Sequence, residues 1–171
     1  MISVLTCTHD GVPSELLRIS LDSLLKQSLA SFEVILVIDG QISLDNKNVI
    51  DVFRSNAILR NIEVKTYFNK INMGHGYSRN KGVHKAGHNI IAIHDSDDVS
   101  SRTRLEKLLL FFRENNDIDI LSTYVVEADI LKRSFFSIKR VPLSTNEIKN
   151  YSKRRCPFNQ QSLAFKKSVI L

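Results

Sequence analysis

Apolar positions follow two alternating rhythms along this chain, short continuous runs and helical stripes, and the alternation predicts its elements. Ile2 to Thr6 is a short β-rich run, and the segment after Ser14 places Leu17, Leu21, Leu24 and Leu25 on one helical face, with Ser14 as the expected N-cap. Phe32 to Ile38 (FEVILVI) is nearly continuous, the pattern of a strand buried on both faces, and it ends at Asp39-Gly40. Asp45 to Ser55 predicts a second helix and Ile62 to Phe68 a third strand. The polar, glycine-bearing loop Asn69 to Gly76 leads into a short helix from Tyr77 to about Ala86, stopped by Gly87. Asn89 to His94 predicts a fourth strand, Arg102 to Asn115 a long helix with Leu105, Leu108, Leu109 and Phe112 inward, and Ile118 to Val126 a fifth strand. After Val126 the pattern loosens: Pro142 and Pro157 divide it into a strand, a short helix near Ser144 to Tyr151 and a last strand around Ser162 to Phe165.

Strands alternating with helices predict an α/β fold with a mainly parallel sheet. Ligands of such sheets bind beyond the carboxyl ends of the strands. Three polar clusters occupy such ends: Thr8-His9-Asp10, Asp39-Gly40 and Asp95-Ser96-Asp97-Asp98. They are expected to converge on one site.

Composition narrows the picture. With 171 residues and 43% hydrophobic content the chain suffices for one compact domain, and its longest apolar runs are far below membrane-spanning length, so a soluble protein is expected. No secretory signal is visible at the N-terminus, which makes the cytoplasm the expected compartment. Cys7 and Cys156 stand in unrelated contexts, without metal or disulfide spacing. The net charge of +6 is concentrated in the last quarter, where Lys132, Arg133, Lys139, Arg140, Lys149, Lys153, Arg154, Arg155, Lys166 and Lys167 fall. Such a surface suits a pyrophosphate-bearing substrate or anionic lipid headgroups. Nucleic acid is disfavoured, because no nucleic-acid-reading motif accompanies the charge.

The chemistry concentrates in the acidic turn. Three carboxylates within four residues repel one another, and a divalent cation relieves them; hard oxygen ligands favour Mg2+ or Mn2+. A solvated turn capping the next helix is the plainer alternative. The stretch Asn72 to Gly82 (NMGHGYSRNKG) offers amides and the Arg79 guanidinium to a diphosphate at a helix start. GxxxxGK[ST] and the dinucleotide-binding glycine spacing are absent, as are HExxH and GxSxG. His84 and His88 share a helical face, but Gly87 interrupts it and exposed surface is the expected reading.

SVLTCTHD, FEVILVIDG, NMGHGYSRNKG and IAIHDSDD, followed by RLEKLLLFF, resemble in order and register the segments of glycosyltransferase family 2. The resemblance covers roughly Ile2 to Leu110. It implies a GT-A fold with a mainly parallel sheet flanked by helices, with residues 1–126 as the donor-binding subdomain and 127–171 as the start of an acceptor-side subdomain. It implies inverting transfer of a sugar from a nucleotide-diphosphate donor, a UDP-sugar being favoured, to a hydroxyl of a polysaccharide or lipid-linked acceptor. By the same resemblance Thr8, His9 and Asp10 border the base and ribose, Asp39 hydrogen-bonds the base, and Arg79 sits near the diphosphate. Asp95 approaches the ribose or sugar, Asp97 ligates Mn2+ or Mg2+, and Asp98 supports that ligand shell.

The chain also departs from the family. Cys7 and His9 stand where Pro and an aromatic are common, Arg102 where a Pro follows the acidic turn, and Ser78 where a small residue precedes Arg-Asn. CPFNQQSLAFKKSVI is similar to the acceptor-side segment of bacterial polysaccharide transferases, with Gln160-Gln161 in place of a His-Pro. No carboxylate side chain follows Glu147, so the general base is expected beyond Leu171 and the chain is expected to be incomplete. The alternatives are a nucleotide-sugar-binding module without efficient transfer and, more distantly, a sugar nucleotidyltransferase, whose N-terminal glycine-rich loop is missing. Contact of the basic C-terminal region with the inner face of a membrane is a further expectation.

Overall fold

The structure is a computed structural model of the chain and describes residues 1–129, 131–132 and 134–171; Arg133 of the basic tail lies outside them. Its first two thirds alternate strictly: β1 (Ile2–Thr8), α1 (Ser14–Leu25), β2 (Glu33–Asp39), α2 (Leu44–Leu59), β3 (Glu63–Asn69), α3 (His75–Lys85), β4 (Ile90–Asp95) and α4 (Arg104–Glu114). The remainder is β5 (Ile120–Leu121), a hairpin of β6 (Val125–Asp129) and β7 (Ser134–Lys139), α5 (Thr145–Ser152) and β8 (Ala164–Lys166). The main sheet runs β3-β2-β1-β4-β8-β5, parallel among its first four strands, with β8 antiparallel to both neighbours. β8, from the stretch assigned to the acceptor side, is thus part of the same sheet as the donor-side strands.

Continuous apolar strands make sense because both faces are covered. Val34, Leu36 and Ile38 of β2 pack with Leu17, Leu21, Phe53, Leu105 and Leu108 from α1, α2 and α4. Ile35 and Val37 point the other way, toward Val83 and Ala86 of the α3 side, with Leu5, Ile91 and Phe165. The four parallel strands also extend past their apolar runs. Thr8, Asp39, Asn69 and Asp95 are still in the ladder, paired as Thr8 with Ile38, Asp39 with Asn69 and Asp95 with Cys7. The polar strand ends are therefore held by backbone hydrogen bonds on a rigid edge.

Three expectations are corrected. Ser14 is not the N-cap: α1 already includes it, Pro13 takes the cap position without a side-chain bond, and the Pro13 carbonyl accepts from the Leu17 amide. α3 starts at His75, two residues before Tyr77, because Gly74 at φ 87° turns the chain directly into the helix. The single strand over Ile118 to Val126 is split. Its middle is drawn off by other partners: Thr123 N–H donates to Ser162 Oγ, Asn159 Nδ2 donates to the Thr123 carbonyl, and Asn159 N–H donates to Ser122 Oγ.

At the opposite end of the sheet a buried carboxylate ties three elements. Glu33 is 1% exposed and accepts from Ser3 Oγ, from Lys65 Nζ at 2.9 Å and from the Gly87 amide. Burial alone would raise its pKa, but these donors together hold it below the ordinary value.

Candidate functional site

A cavity of about 350 Å³ opens at the carboxyl ends of β1, β2 and β4. Thr8, His9, Asp39, Asp95 and Asp97 all line it, so the three polar strand ends do meet. Asp10, Arg79 and Asp98 are not in its wall. Asp10 accepts the Ser43 amide at 2.6 Å, fixing the start of α2. Arg79 lies one layer behind, and Asp98 is half-buried beneath the turn.

Asp39 organises the loop that closes the cavity. It is 5% exposed; Oδ1 accepts from Asn69 Nδ2 at 2.7 Å and from the Met73 amide at 2.8 Å, while Oδ2 accepts from the Gly74 amide at 2.9 Å. Burial opposes its ionisation, yet these donors hold its pKa below the usual carboxylate value. The same loop needs Gly40, which turns at φ 90°, because a Cβ there would stand 2.9 Å from the Asn72 nitrogen.

The acidic turn is polarised. Asp95 is held by Arg79 Nη2 at 2.6 Å, and His75 Nε2 stands 4.0 Å from the same oxygen. Arg79 also donates to Gln160 Oε1 at 3.4 Å, linking the turn to the segment Gln160–Ser162. Asp97 is exposed and has no hydrogen-bond or ion-pair partner among the described residues, so its oxygens are free to meet a ligand. Burial, with the neighbouring charges of Asp97 and Asp95, pushes Asp98 up to about 6 against the opposing pull of Arg104. Burial, then the charge of Arg79, lowers the pKa of His75, with Asp95 acting the other way. Cys7 lines the cavity as a thiol, since burial pushes its pKa up to about 12, which disfavours the nucleophilic thiolate at neutral pH.

Several contributors were not named as site residues from the sequence. Asn69 is buried and donates to both Asp39 Oδ1 and Ser78 Oγ; being polar at a strand end, it could have been found by the rule that named Asp39. His75 and Ser78 sit in the glycine-bearing stretch, and Ser78 was noted there only as the small residue before Arg-Asn. His84 is exposed and His88 half-buried, outside the site. Among the described residues, no three of His, Cys, Asp and Glu are grouped to hold a metal ion.

Comparison with known proteins gives the family and the fold. A family model described as glycosyl transferase family 2 matches residues 3–170. A UDP-Gal:alpha-D-GlcNAc-diphosphoundecaprenol beta-1,3-galactosyltransferase of Escherichia coli is 37% identical over 152 residues, covering 89% of this chain and 53% of that protein. The amylovoran biosynthesis glycosyltransferase AmsE of Erwinia amylovora is 29% identical over 171 residues, covering 100% of this chain and 62% of that protein. The chain thus spans a little over half the length of these relatives. Among solved structures, S. aureus TarS 1-349 in complex with UDP superposes with a TM-score of 0.72 at 20% identity, over 99% of this chain and 47% of that one. The mannosyltransferase PcManGT from Pyrobaculum calidifontis, in complex with GDP-Man and Mn2+, gives 0.71 at 14% identity, over 99% and 45%. At these identities the structural likeness bears on the fold, which is of the GT-A type, while the family model spans nearly every residue. The chain belongs to glycosyl transferase family 2.

Proposed function

We propose that this chain is the donor-binding part of a metal-dependent, inverting glycosyltransferase that takes its sugar from a nucleotide diphosphate, a UDP-sugar, and passes it to a hydroxyl of a lipid-linked or polysaccharide acceptor. The observation that carries the reading is the meeting of Thr8, His9, Asp39, Asp95 and Asp97 around one cavity at the strand ends. Residues 1–126 hold the donor and 127–171 begin the acceptor side. The relative acting on GlcNAc-diphosphoundecaprenol and the UDP complex of a structural neighbour favour this donor and acceptor class.

The residues present fit a divalent ion. Asp97 offers unshared carboxylate oxygens, and Mg2+ or Mn2+ is commonly held by one or two carboxylates with water and phosphate oxygens completing the shell, so a dense protein cluster is not required. When bound, the ion neutralises charge on the departing diphosphate. Thr8 and His9 frame the base and ribose, with Asp10 beside them fixing the start of α2, and Asp39 braces the loop against the base. Arg79 holds Asp95 toward the ribose and sugar and brings positive charge near the diphosphate, while Asp98 supports the turn from below. The basic C-terminal region meets anionic lipid headgroups where a lipid-linked acceptor resides.

Calorimetry with UDP and UDP-sugars, with Mn2+ or with EDTA, tests the proposal. Tighter binding with the ion is expected; metal-independent binding, or no binding of any nucleotide sugar, rejects it.

A further inference from the structure

Arg104 sits where a cation is least welcome. It is the first residue of α4, against the positive end of the helix, and its Nε is sealed from solvent without an acceptor among the described residues. No carboxylate lies within ion-pair distance of it among those residues. Burial lowers its pKa to about 10, with Asp95 and Asp98 opposing, so the guanidinium remains charged at pH 7. Burying such a charge is costly unless its hydrogen bonds serve a purpose.

Those bonds reach both ends of the acidic turn and the acceptor-side segment. Nη2 donates to the Ile93 carbonyl at 2.6 Å, two residues before Asp95, and Nη1 to Ser100 Oγ at 3.0 Å, two residues after Asp98. Nη2 also reaches the Gln161 carbonyl at 3.4 Å. Ser100 Oγ lies 3.3 Å from His94 Nδ1, His94 Nε2 lies 2.8 Å from Ser20 Oγ, and Ser20 Oγ donates to the Asp95 carbonyl at 3.1 Å. A closed polar circuit therefore runs behind the turn. Unlike Arg79, which engages a carboxylate directly, Arg104 acts only on backbone and hydroxyl oxygens and does not line the cavity.

We propose that Arg104 is a positioning residue: from behind the site it fixes the Asp95–Asp98 turn and the Gln160–Ser162 segment in one register and supplies a constant countercharge that leaves the cavity face of Asp97 free for a cation. The inference rests on the reading of the turn as the donor and metal site. Lysine keeps the charge but cannot bridge the three oxygens, and methionine keeps neither.

The test measures UDP binding to this chain across a Mn2+ titration for wild type, Arg104→Lys, Arg104→Met and Ser100→Ala, with circular dichroism and thermal melts to establish folding. Loss of an outer-shell partner typically costs 10–100-fold in metal affinity, so the Mn2+ midpoint should rise by roughly that factor in Arg104→Met and by less in Arg104→Lys. A lowered melting temperature with an unchanged Mn2+ midpoint would reduce Arg104 to a structural residue and overturn the proposal; should Arg104→Met not fold, Arg104→Lys and Ser100→Ala decide on the same criterion. Amide hydrogen exchange without ligand gives a separate readout. Protection of residues 93–100 and 160–162 should fall together in Arg104→Lys, and loss in only one of the two segments overturns the clamp. If wild type binds no UDP with Mn2+, the functional proposal fails, and the exchange result alone decides the role of Arg104.

Discussion

Two carboxylates of the site differ sharply, Asp39 being fully engaged and Asp97 free, and substitution should separate them. Asp97→Ala is expected to remove the Mn2+ dependence of UDP binding while changing stability by less than about 0.5 kcal/mol, since the side chain is exposed and unpartnered. Asp39→Ala strands the Met73 and Gly74 amides and should cost about 1–3 kcal/mol in chemical denaturation, with nucleotide affinity falling as the loop loosens. Equal stability of the two variants would contradict this division. His94 makes a third prediction. It is 1% exposed, and burial, with Arg104, depresses its pKa from 6.5 to about 3, so it is neutral in the fold while the unfolded chain takes up a proton below pH 6.5. Its contribution is therefore complete above 6.5 and is lost as the pH falls toward 3. Between pH 7 and pH 5 the loss is about 2 kcal/mol, and a folded His94→Gln variant should show a correspondingly flatter pH profile in denaturant melts. The placement of Asp95 and Asp97 at the cavity was legible because both stand at or just past the carboxyl end of a strand in an α/β sheet. Arg104, Ser20 and Ser100 were not, because their meaning lies in contacts such as Ser20 with Asp95, 75 residues apart, which no local pattern records.

Among the elements, the glycines of the closing loop differ in what a side chain would meet. Gly40 and Gly74 both have positive φ, but a Cβ on Gly74 meets nothing within 4 Å, whereas one on Gly40 runs into the Asn72 backbone. Gly74→Ala should cost only the backbone penalty of its positive-φ extended conformation, about 1–3 kcal/mol, and Gly40→Ala distinctly more, with thermal melts ranking the two. The strands and the first four helices could be read from the sequence because their faces alternate between core and solvent or are buried throughout. The split of the expected fifth strand could not. Val125 and Val126 keep β-forming character, but Asn159 and Ser162, some 36 to 40 residues later, take the hydrogen bonds of the intervening residues. The start of α3 was missed for a related reason, since Asp39, on another element, holds the Met73 and Gly74 amides that set the entry to the helix.

For the molecule as a whole, exposed apolar and basic side chains gather in the stretch proposed to begin the acceptor side, residues 127–171. The hairpin of β6 and β7 leaves Val126, Phe135, Phe136 and Ile138 exposed, and the nearby stretch around α5 brings Lys149, Lys153, Arg154 and Arg155 to the surface. No helix among the described residues is long and apolar enough to cross a membrane. Cosedimentation should show more binding to vesicles containing phosphatidylglycerol than to phosphatidylcholine alone, weakened by salt as screening shortens the reach of the basic residues. Equal binding to both would remove the electrostatic contribution. On the far side of the cavity, α3 lies against β1 at Gly82, where even one methyl would stand 2.1 Å from Leu5 Cδ1. Leu5 is 1% exposed and has little room to retreat. Because His75, Ser78 and Arg79 ride on the same helix, the missing methyl works as a gauge block for the site: Gly82→Ala, at about 1–3 kcal/mol, would lift the whole wall without touching a residue of the cavity. Trimming Leu5 to Ala in the same chain would let that wall settle back, so the width of a polar site is calibrated by the fit between two apolar neighbours that no ligand meets.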